Sequence, residues 1–264
     1  MVDLQQAPLF GVIASSPLVL GALAGYSLRM PKRVLAAMLA FAAGSLITAL
    51  TFELFEDSYQ QGGIWRAATG LMAGAVVFTV LSHLLDRAAR AGQPDEPEDS
   101  GSDKLDTDAA AADRTAAQAS VSGAAGLALL AAVTLDGVPE NLALGVSLGS
   151  GSGGLALLAA IFVSNFPEAL VGSASMRARG RSLVFVVGTW TVCAVLLAAS
   201  VLVGAGPLAS SSPETISLPL AFAAGAVIAS LADTLMPEAY EQGGPTVALS
   251  TAAGFVLSFV LATL

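Results

Sequence analysis

The sequence predicts an all-α integral membrane protein of eight transmembrane helices. Three observations carry this prediction: 55% of the 264 residues are hydrophobic, only 12% are charged, and the mean hydropathy is +0.76. A soluble domain carries about 25% charged residues, so this chain has half the usual charge. The composition excludes a disordered chain, a nucleic-acid-binding protein and an ordinary globular enzyme. Because one membrane-spanning helix needs about 20 apolar residues, the chain has room for roughly eight of them with their connections.

Eight apolar runs divide the chain, and glycine or proline stands at most of their ends. No Lys or Arg precedes the first run, so we expect a retained helix there rather than a cleaved signal. The fourth and fifth runs contain internal prolines, Pro139 and Pro167, which membrane helices tolerate when neighbouring groups satisfy the freed carbonyl. The predicted spans are approximately 8–28, 34–55, 65–85, 122–148, 154–176, 182–205, 217–238 and 245–264.

The basic residues predict the orientation of these spans. Ten of the eleven Lys and Arg residues follow the first, third or fifth span, and only Arg66 lies on the opposite side. Cytoplasmic loops are enriched in Lys and Arg, so we expect both termini outside the cytoplasm of a multi-pass cell-membrane protein, with the bacterial cytoplasmic membrane favoured. The long loop 91–119 carries eight acidic residues between positions 95 and 113. Its low hydrophobicity predicts a disordered cytoplasmic linker.

An internal repeat relates the second span to the seventh. Residues 41–63 and 222–244 are identical at 11 of 23 positions without a gap. Spans two and seven of an alternating bundle run in opposite directions, so the pattern predicts an inverted-topology repeat, as in many secondary transporters. The single transmembrane domain 1–264 then has a 3+2+3 organisation. Its predicted parts are a first three-helix repeat (1–90), the acidic loop (91–119), a central helix pair (120–176) and a second three-helix repeat (177–264).

Besides Glu238 at the end of the seventh span, five acidic residues fall inside the predicted spans: Glu53, Asp136, Glu140, Glu168 and Asp233. A central charge costs about 2.5–3.5 kcal/mol on the insertion scale, and such residues usually mark ion or substrate pathways. No Lys or Arg lies in the interior of any predicted span. We therefore expect these carboxyl groups to be protonated, hydrated or bound to cations.

The spacing of the polar residues in spans four and five predicts one shared site. Asp136 and Glu140 are four residues apart and so project from one face of a helix. Ser164 and Glu168 repeat this spacing, and Asn165 follows Ser164. Carboxylate, amide and hydroxyl oxygens suit divalent cations. We therefore expect an oxygen-rich cation site near the middle of the membrane.

These motifs resemble those of the ZIP (Zrt-, Irt-like protein) family of divalent metal transporters. Residues 136–141 (DGVPEN) are similar to the fourth-helix motif His-Asn-x-Pro-Glu-Gly, and 164–168 (SNFPE) to the fifth-helix polar pair followed by x-Pro-Glu. In the seventh span, a family His-Glu pair before x-x-Pro-Glu falls at Asp233, which favours Glu238 as a further ligand. The eight spans, the outside termini and the loop after span three extend the resemblance over nearly the whole chain.

The resemblance implies transport of a divalent cation toward the cytoplasm, with no enzymatic activity and no resident cofactor. Zinc is the favoured cargo, and manganese or iron(II) are alternatives because the site is all oxygen. The ligands must lose protons to bind metal, so uptake should depend on pH. Span six has no carboxylate and Gly137 lacks the family's amide, which favours one metal over two. The expected metal ligands are Asp136, Glu140, Asn165, Glu168, Ser164, Asp233, Glu53 and Glu238.

Other functions remain open at this stage. Acidic residues without a buried base also fit a proton-coupled carrier of another solute, and the altered motifs fit a sensor or scaffold that has lost transport. An intramembrane aspartyl protease is disfavoured because nothing resembling Gly-x-Gly-Asp flanks Asp136 or Asp233. The expected partners are a divalent cation and the lipid bilayer, without nucleic acid, and the sequence leaves homodimer formation open.

Overall fold

A computed structural model describes residues 7–91, 134, 137–149 and 154–263 of the chain. Asp136 and most of the predicted acidic linker lie outside the described residues. The described part is helical almost throughout and contains no strand, which confirms the predicted all-α class. The helices are α1 (Ala7–Ser27), α2 (Lys32–Ala49), α3 (Glu56–Ala91), α4 (137–149), α5 (Leu155–Ala178), α6 (Leu183–Val203), α7 (Pro213–Ser230), α8 (Met236–Gly243) and α9 (Val247–Thr263).

Five helical stretches in the described part are long and apolar enough to cross a membrane, as expected of a membrane protein. Two of them contain 54 and 51 residues. A straight helix of that length would measure roughly 80 Å, far more than the bilayer core of about 30 Å. The five stretches are Ala7–Ser27, Lys32–Leu85, Leu155–Ala178, Leu183–Leu208 and Pro213–Thr263.

The first long stretch begins with an arm that runs antiparallel to α7 and α8. Near the start of α2, a Cβ added to Gly243 would lie 2.7 Å from the Cβ of Ala36. Beyond the end of α2, the Ser58 hydroxyl donates to the Ser217 carbonyl over 2.8 Å. From Ala36 to Ser58 the contacted residue moves back from Gly243 to Ser217. This first arm therefore runs antiparallel to the segment formed by α7 and α8.

The same stretch then reverses at Gly63, whose φ of 76° lies in the left-handed region that glycine adopts without strain. After this turn, Arg66 pairs with Glu214 at 3.1 Å, and the Ser82 hydroxyl donates to the Asp233 carboxylate over 2.8 Å. From Arg66 to Ser82 the contacted residue now moves forward, from Glu214 to Asp233. The body of α3 is therefore parallel to α7 and antiparallel to α2.

A matching reversal occurs in the second long stretch at Gly244, where φ is 65°. Gly243 lies against Ala36, and farther along α9 the Phe255 carbonyl accepts a hydrogen bond from the Thr48 hydroxyl over 3.0 Å. From Ala36 to Thr48 the contacted residue moves forward from Gly243 to Phe255, so α9 is parallel to α2. Since α8 is antiparallel to α2, the chain folds back between α8 and α9.

The sequence repeat has a structural counterpart. A π-helical turn, Leu50–Phe55, begins at the tenth residue of the first copy, and another, Leu231–Leu235, begins at the tenth residue of the second. Both copies end on the positive-φ glycines, Gly63 and Gly244. The 11 shared residues therefore encode the same local backbone twice.

Interhelical contacts are duplicated in the same way. A Cβ added to Gly44 in α2 would overlap the backbone carbonyl of Thr251 in α9. Its equivalent in the second copy, Gly225 in α7, would overlap the carbonyl of Leu71 in α3. A second duplicated pair of contacts joins Gly254 to Phe41 and Gly74 to Phe222. Small residues let backbones approach closely in membranes, so the α2–α9 and α3–α7 interfaces use one packing solution.

A separate set of helices surrounds α5. The helix α1 packs along α5 and α6, and Gly25 of α1 fits against the Leu170 backbone of α5. The helix α4 packs along α6, where Gly145 fits against the Val201 carbonyl and Gly149 against Ala205. These contacts define a first helix group (α1, α4, α5, α6) and a second helix group (α2, α3, α7, α9).

Two apolar cavities lie on the seam, the boundary where the first helix group faces the second. One of about 690 Å³ lies between α4 and the α3–α7 pair, and Pro139 lines it. The other, of about 580 Å³, lies between α5 and the α2–α9 pair, and Pro167 lines it. The internal proline of each Pro-Glu motif therefore lines a gap between the two helix groups.

We expect Gly225→Ala to lower the free energy of unfolding by about 1–3 kcal/mol, because the added Cβ forces α7 away from the α3 backbone. Thermal unfolding of the purified protein in detergent measures this loss. Gly188→Ala in α6 is the matched control, since nothing lies within 4 Å of its Cβ position. Equal unfolding temperatures for the two variants would contradict the close α3–α7 contact.

Candidate functional site

The helix α4 places a carboxyl group inside the bundle. Glu140 follows Pro139 and is only 5% exposed. Proline removes one hydrogen bond of the helix ladder, which loosens the backbone beside this carboxyl group. The residues after Glu140 on the same side, Ala143 and Leu144, are fully buried and join the main apolar core. Glu140 therefore lies at the edge of the packed core and not on the outer surface of the bundle.

The helix α5 buries two polar side chains of its predicted site. Ser164 and Asn165 are each 2% exposed. The Ser164 hydroxyl donates to the Ile161 carbonyl over 3.1 Å, and the Asn165 amide nitrogen donates to the Ala14 carbonyl of α1 over 2.9 Å. Both donors are used within the protein. The oxygen atoms are thus the parts of these side chains with cation-ligand chemistry.

A ladder of hydrogen bonds fixes α5 against α1. Three side chains of α5 donate to carbonyls of α1, and donor and acceptor numbers differ by 151 each time. A constant offset means that the two helices run parallel in fixed register. The pairs are Asn165 with Ala14, Ser173 with Ala22, and Arg177 with Tyr26. The position of Asn165 is therefore set by the same interaction that holds the helix.

Glu168, one turn after Ser164, is half-buried and interacts electrostatically with Cys193 of α6. The structure thus brings Glu140, Ser164 and Asn165 into the bundle interior and leaves Glu168 partly exposed. Asp136 lies outside the described residues. Within the described ranges, no group of three or more His, Cys, Asp or Glu side chains is arranged to hold a metal ion.

Glu53 has a contact that the sequence did not predict. It lies in the π-helical turn Leu50–Phe55, and its Oε2 accepts a hydrogen bond from the backbone amide of Leu157 over 3.0 Å. Leu157 is in the first turn of α5, and the residue preceding that helix, Gly154, has no side chain to cap it. A carboxylate is stabilised at a helix N-terminus by the exposed amides and the helix dipole. Glu53 therefore caps α5 from across the seam.

The two acidic residues of the second repeat copy have partners of their own. Asp233 lies in the π-helical turn Leu231–Leu235, is exposed, and accepts the hydrogen bond from Ser82 of α3. Glu238 in α8 is half-buried and accepts a hydrogen bond from the Gln242 side chain over 3.2 Å. Their described hydrogen bonds are thus made with α3 and within α8, and not with the α4–α5 pair.

The α4–α6 interface is apolar beside Gly137. A Cβ added at Gly137 would lie 2.7 Å from a terminal methyl group of Leu197, which is fully buried. Thr191 of α6 is exposed to the outside of the bundle. The helix α6 therefore offers an apolar surface to α4 at this point.

The chain matches no family model and no curated protein sequence. Functional inference therefore depends on the residues of this chain and on the motifs in spans four, five and seven.

We expect Glu53→Ala to destabilise the first turn of α5 by about 0.5–2 kcal/mol, the usual cost of removing a helix cap. The amide of Leu157 should then exchange with deuterium faster than in the wild type. Glu56→Ala is the control, because Glu56 is exposed and accepts a hydrogen bond from Gln60 on its own helix. Unchanged exchange at Leu157 in Glu53→Ala would show that Glu53 is not a cap.

Proposed function

We propose that this protein is a ZIP-like membrane transporter that moves a divalent metal cation toward the cytoplasm. The observation that carries the proposal is the burial of Glu140 together with Ser164 and Asn165 in two proline-containing helices. A carboxyl group in a membrane interior is expensive, and such groups usually mark ion or substrate pathways. Oxygen ligands of three chemical kinds favour a divalent cation over an organic solute.

We assign the central site to Asp136, Glu140, Asn165 and Glu168, with Ser164 in support. The burial of Glu140 and Asn165 and the fixed register of α5 support this assignment. Glu53, Asp233 and Glu238 fit positions along the cation path better than places in the central site, because each bonds to a different helix segment. Zinc is the first candidate cargo, followed by manganese and iron(II).

The proposed architecture is eight spans in the 3+2+3 inverted repeat, with both termini outside. Its support is the direction of the helices: α2 opposes α3, α8 opposes α9, and α1 is parallel to α5. The helix α6 is antiparallel to α1, because Gly11 contacts Ala198 whereas the Tyr26 hydroxyl donates to the Arg181 carbonyl. With α4 as the fourth span, these directions fit strict alternation along the chain.

The seam offers a route to alternating access. Each helix group is held by glycine contacts or hydrogen bonds, whereas the two large cavities lie between the groups. Movement of the first group, which carries the central site, against the second would expose the ligands to one side and then the other. The Glu53 contact with α5 crosses the seam and would have to break in that movement.

We expect Glu140→Gln and Glu168→Gln to weaken metal binding strongly while leaving the fold intact, because each removes one ligand charge and keeps the side-chain shape. Calorimetry on purified protein measures binding, and flux into proteoliposomes with a panel of divalent ions at varied external pH measures transport. Glu214→Gln is the control, since Glu214 is exposed and pairs with Arg66 at the surface.

The outcomes separate the functions. If both glutamine variants bind and transport like the wild type, the carboxylates are structural and a carrier of another solute becomes the better reading. Metal binding by the wild type without flux would indicate a sensor or scaffold of the same fold.

The proposed topology predicts that Ser100 is inaccessible from outside. We expect Ser100→Cys, made in a Cys193→Ala background, to resist a membrane-impermeant maleimide in intact cells and to react after permeabilisation. The native thiol of Cys193 is buried, and its removal leaves a single labelling site. Labelling of intact cells would place the loop outside and reverse the orientation.

A further inference from the structure

Asn141 follows Glu140 and is fully buried, with 0% of its surface exposed. Its amide nitrogen donates to the Gly137 carbonyl over 2.9 Å. The side chain therefore folds back over the preceding turn of α4, as helical side chains do. Gly137 and Glu140 are three residues apart and are neighbours on the helix surface. The Asn141 amide thus lies beside the turn that carries the Glu140 carboxyl group.

The oxygen of this amide has no hydrogen-bond partner within the described residues. Buried polar atoms are paired in the great majority of cases, and an unsatisfied one costs about 1–3 kcal/mol. The hydrogen bond to the Gly137 carbonyl accounts for the amide nitrogen but not for the oxygen. The cost points to a ligand for the oxygen.

Two other buried atoms without partners in the described part of the chain provide a comparison. The Trp190 indole nitrogen carries a hydrogen and has no lone pair for a cation. The Ser258 hydroxyl lies in α9, in the second helix group. Asn141 differs from both because its unpartnered atom is an oxygen next to a candidate metal ligand in sequence and on the helix surface.

The residue types around Asn141 favour an uncharged ligand. The proposed site already holds the carboxyl groups of Glu140 and Glu168, and like charges in a desolvated site repel one another when no cation is present. An amide oxygen adds a cation ligand without a further negative charge.

We propose that Asn141 Oδ1 is a further, neutral ligand of the divalent cation bound at Glu140. The proposal rests on the proposed function, because it needs a cation at that carboxyl group. It extends the predicted ligand set by one residue on α4, one helical turn after Gly137.

The test is metal binding by Asn141→Ala, measured on the full chain in detergent with zinc or manganese alone. We expect the dissociation constant to rise about tenfold or more, as for the loss of one partner in a metal site. The metal-induced rise in unfolding temperature should shrink, and it is measured against the metal-free unfolding temperature of the same variant, since Asn141→Ala also loses the hydrogen bond to Gly137. Asn141→Asp keeps an oxygen ligand and should bind metal at least as tightly as the wild type.

Ser258→Ala is the matched control, because it removes a buried unpartnered oxygen away from α4. It should leave metal affinity unchanged. If Asn141→Ala does not fold, Asn141→Leu, which fills the volume without an oxygen, gives the same readout. Wild-type metal affinity in the variant that folds would overturn the assignment of Asn141 alone. A wild-type protein that binds neither metal would overturn the proposed function and the Asn141 ligand with it.

Discussion

Close backbone contact between helices is the constraint on which this structure depends. Lipid tails are as apolar as leucine, so helices in a bilayer gain little from burying apolar side chains and associate through close packing instead. In this chain glycines provide the close approach, and the contact of Gly44 with Thr251 reappears as that of Gly225 with Leu71. The pairing of α2 with α9 and of α3 with α7 follows from these positions, and so does the shape of the second helix group.

The first helix group adds hydrogen bonds to such glycine contacts. Polar side chains of α5 donate to α1 carbonyls in one register, so hydrogen bonds that would be costly to lose in a membrane fix the helix that carries Ser164, Asn165 and Glu168. The opposing helix α4 presents Glu140 at the edge of the apolar core. The candidate site is therefore rigid on the α5 side, and its prolines line the cavities where the two groups meet.

The two helix groups meet mainly where α5 packs against α2 and α9, and one polar contact between the groups starts at a π-helical turn. Glu53 reaches the first turn of α5 from one such turn. A helical turn with an extra residue changes the direction of its side chains, and π-helical turns often occur at functional sites. The repetition of this turn at Leu231–Leu235 gives both halves of the repeat the same local deformation. The proposed cation site and the Glu53 contact across the seam thus share the helix α5.

Composition and pattern by themselves determined the membrane class, the helical content, the repeat and the two Pro-Glu motifs, because each depends only on local residue type and spacing. The predicted gaps between spans two and three and between spans seven and eight agree with the reversals at Gly63 and Gly244, because each glycine ends a short polar stretch between two apolar runs. The sequence did not separate the roles of its acidic residues. A glutamate looks the same in the sequence whether its carboxylate caps a helix or binds a cation. The group that Glu53 caps, the Leu157 amide, lies 104 residues away in the chain. Only the tertiary structure, by setting which helix ends meet, decided that Glu53 caps α5 while Glu140 is buried in the bundle.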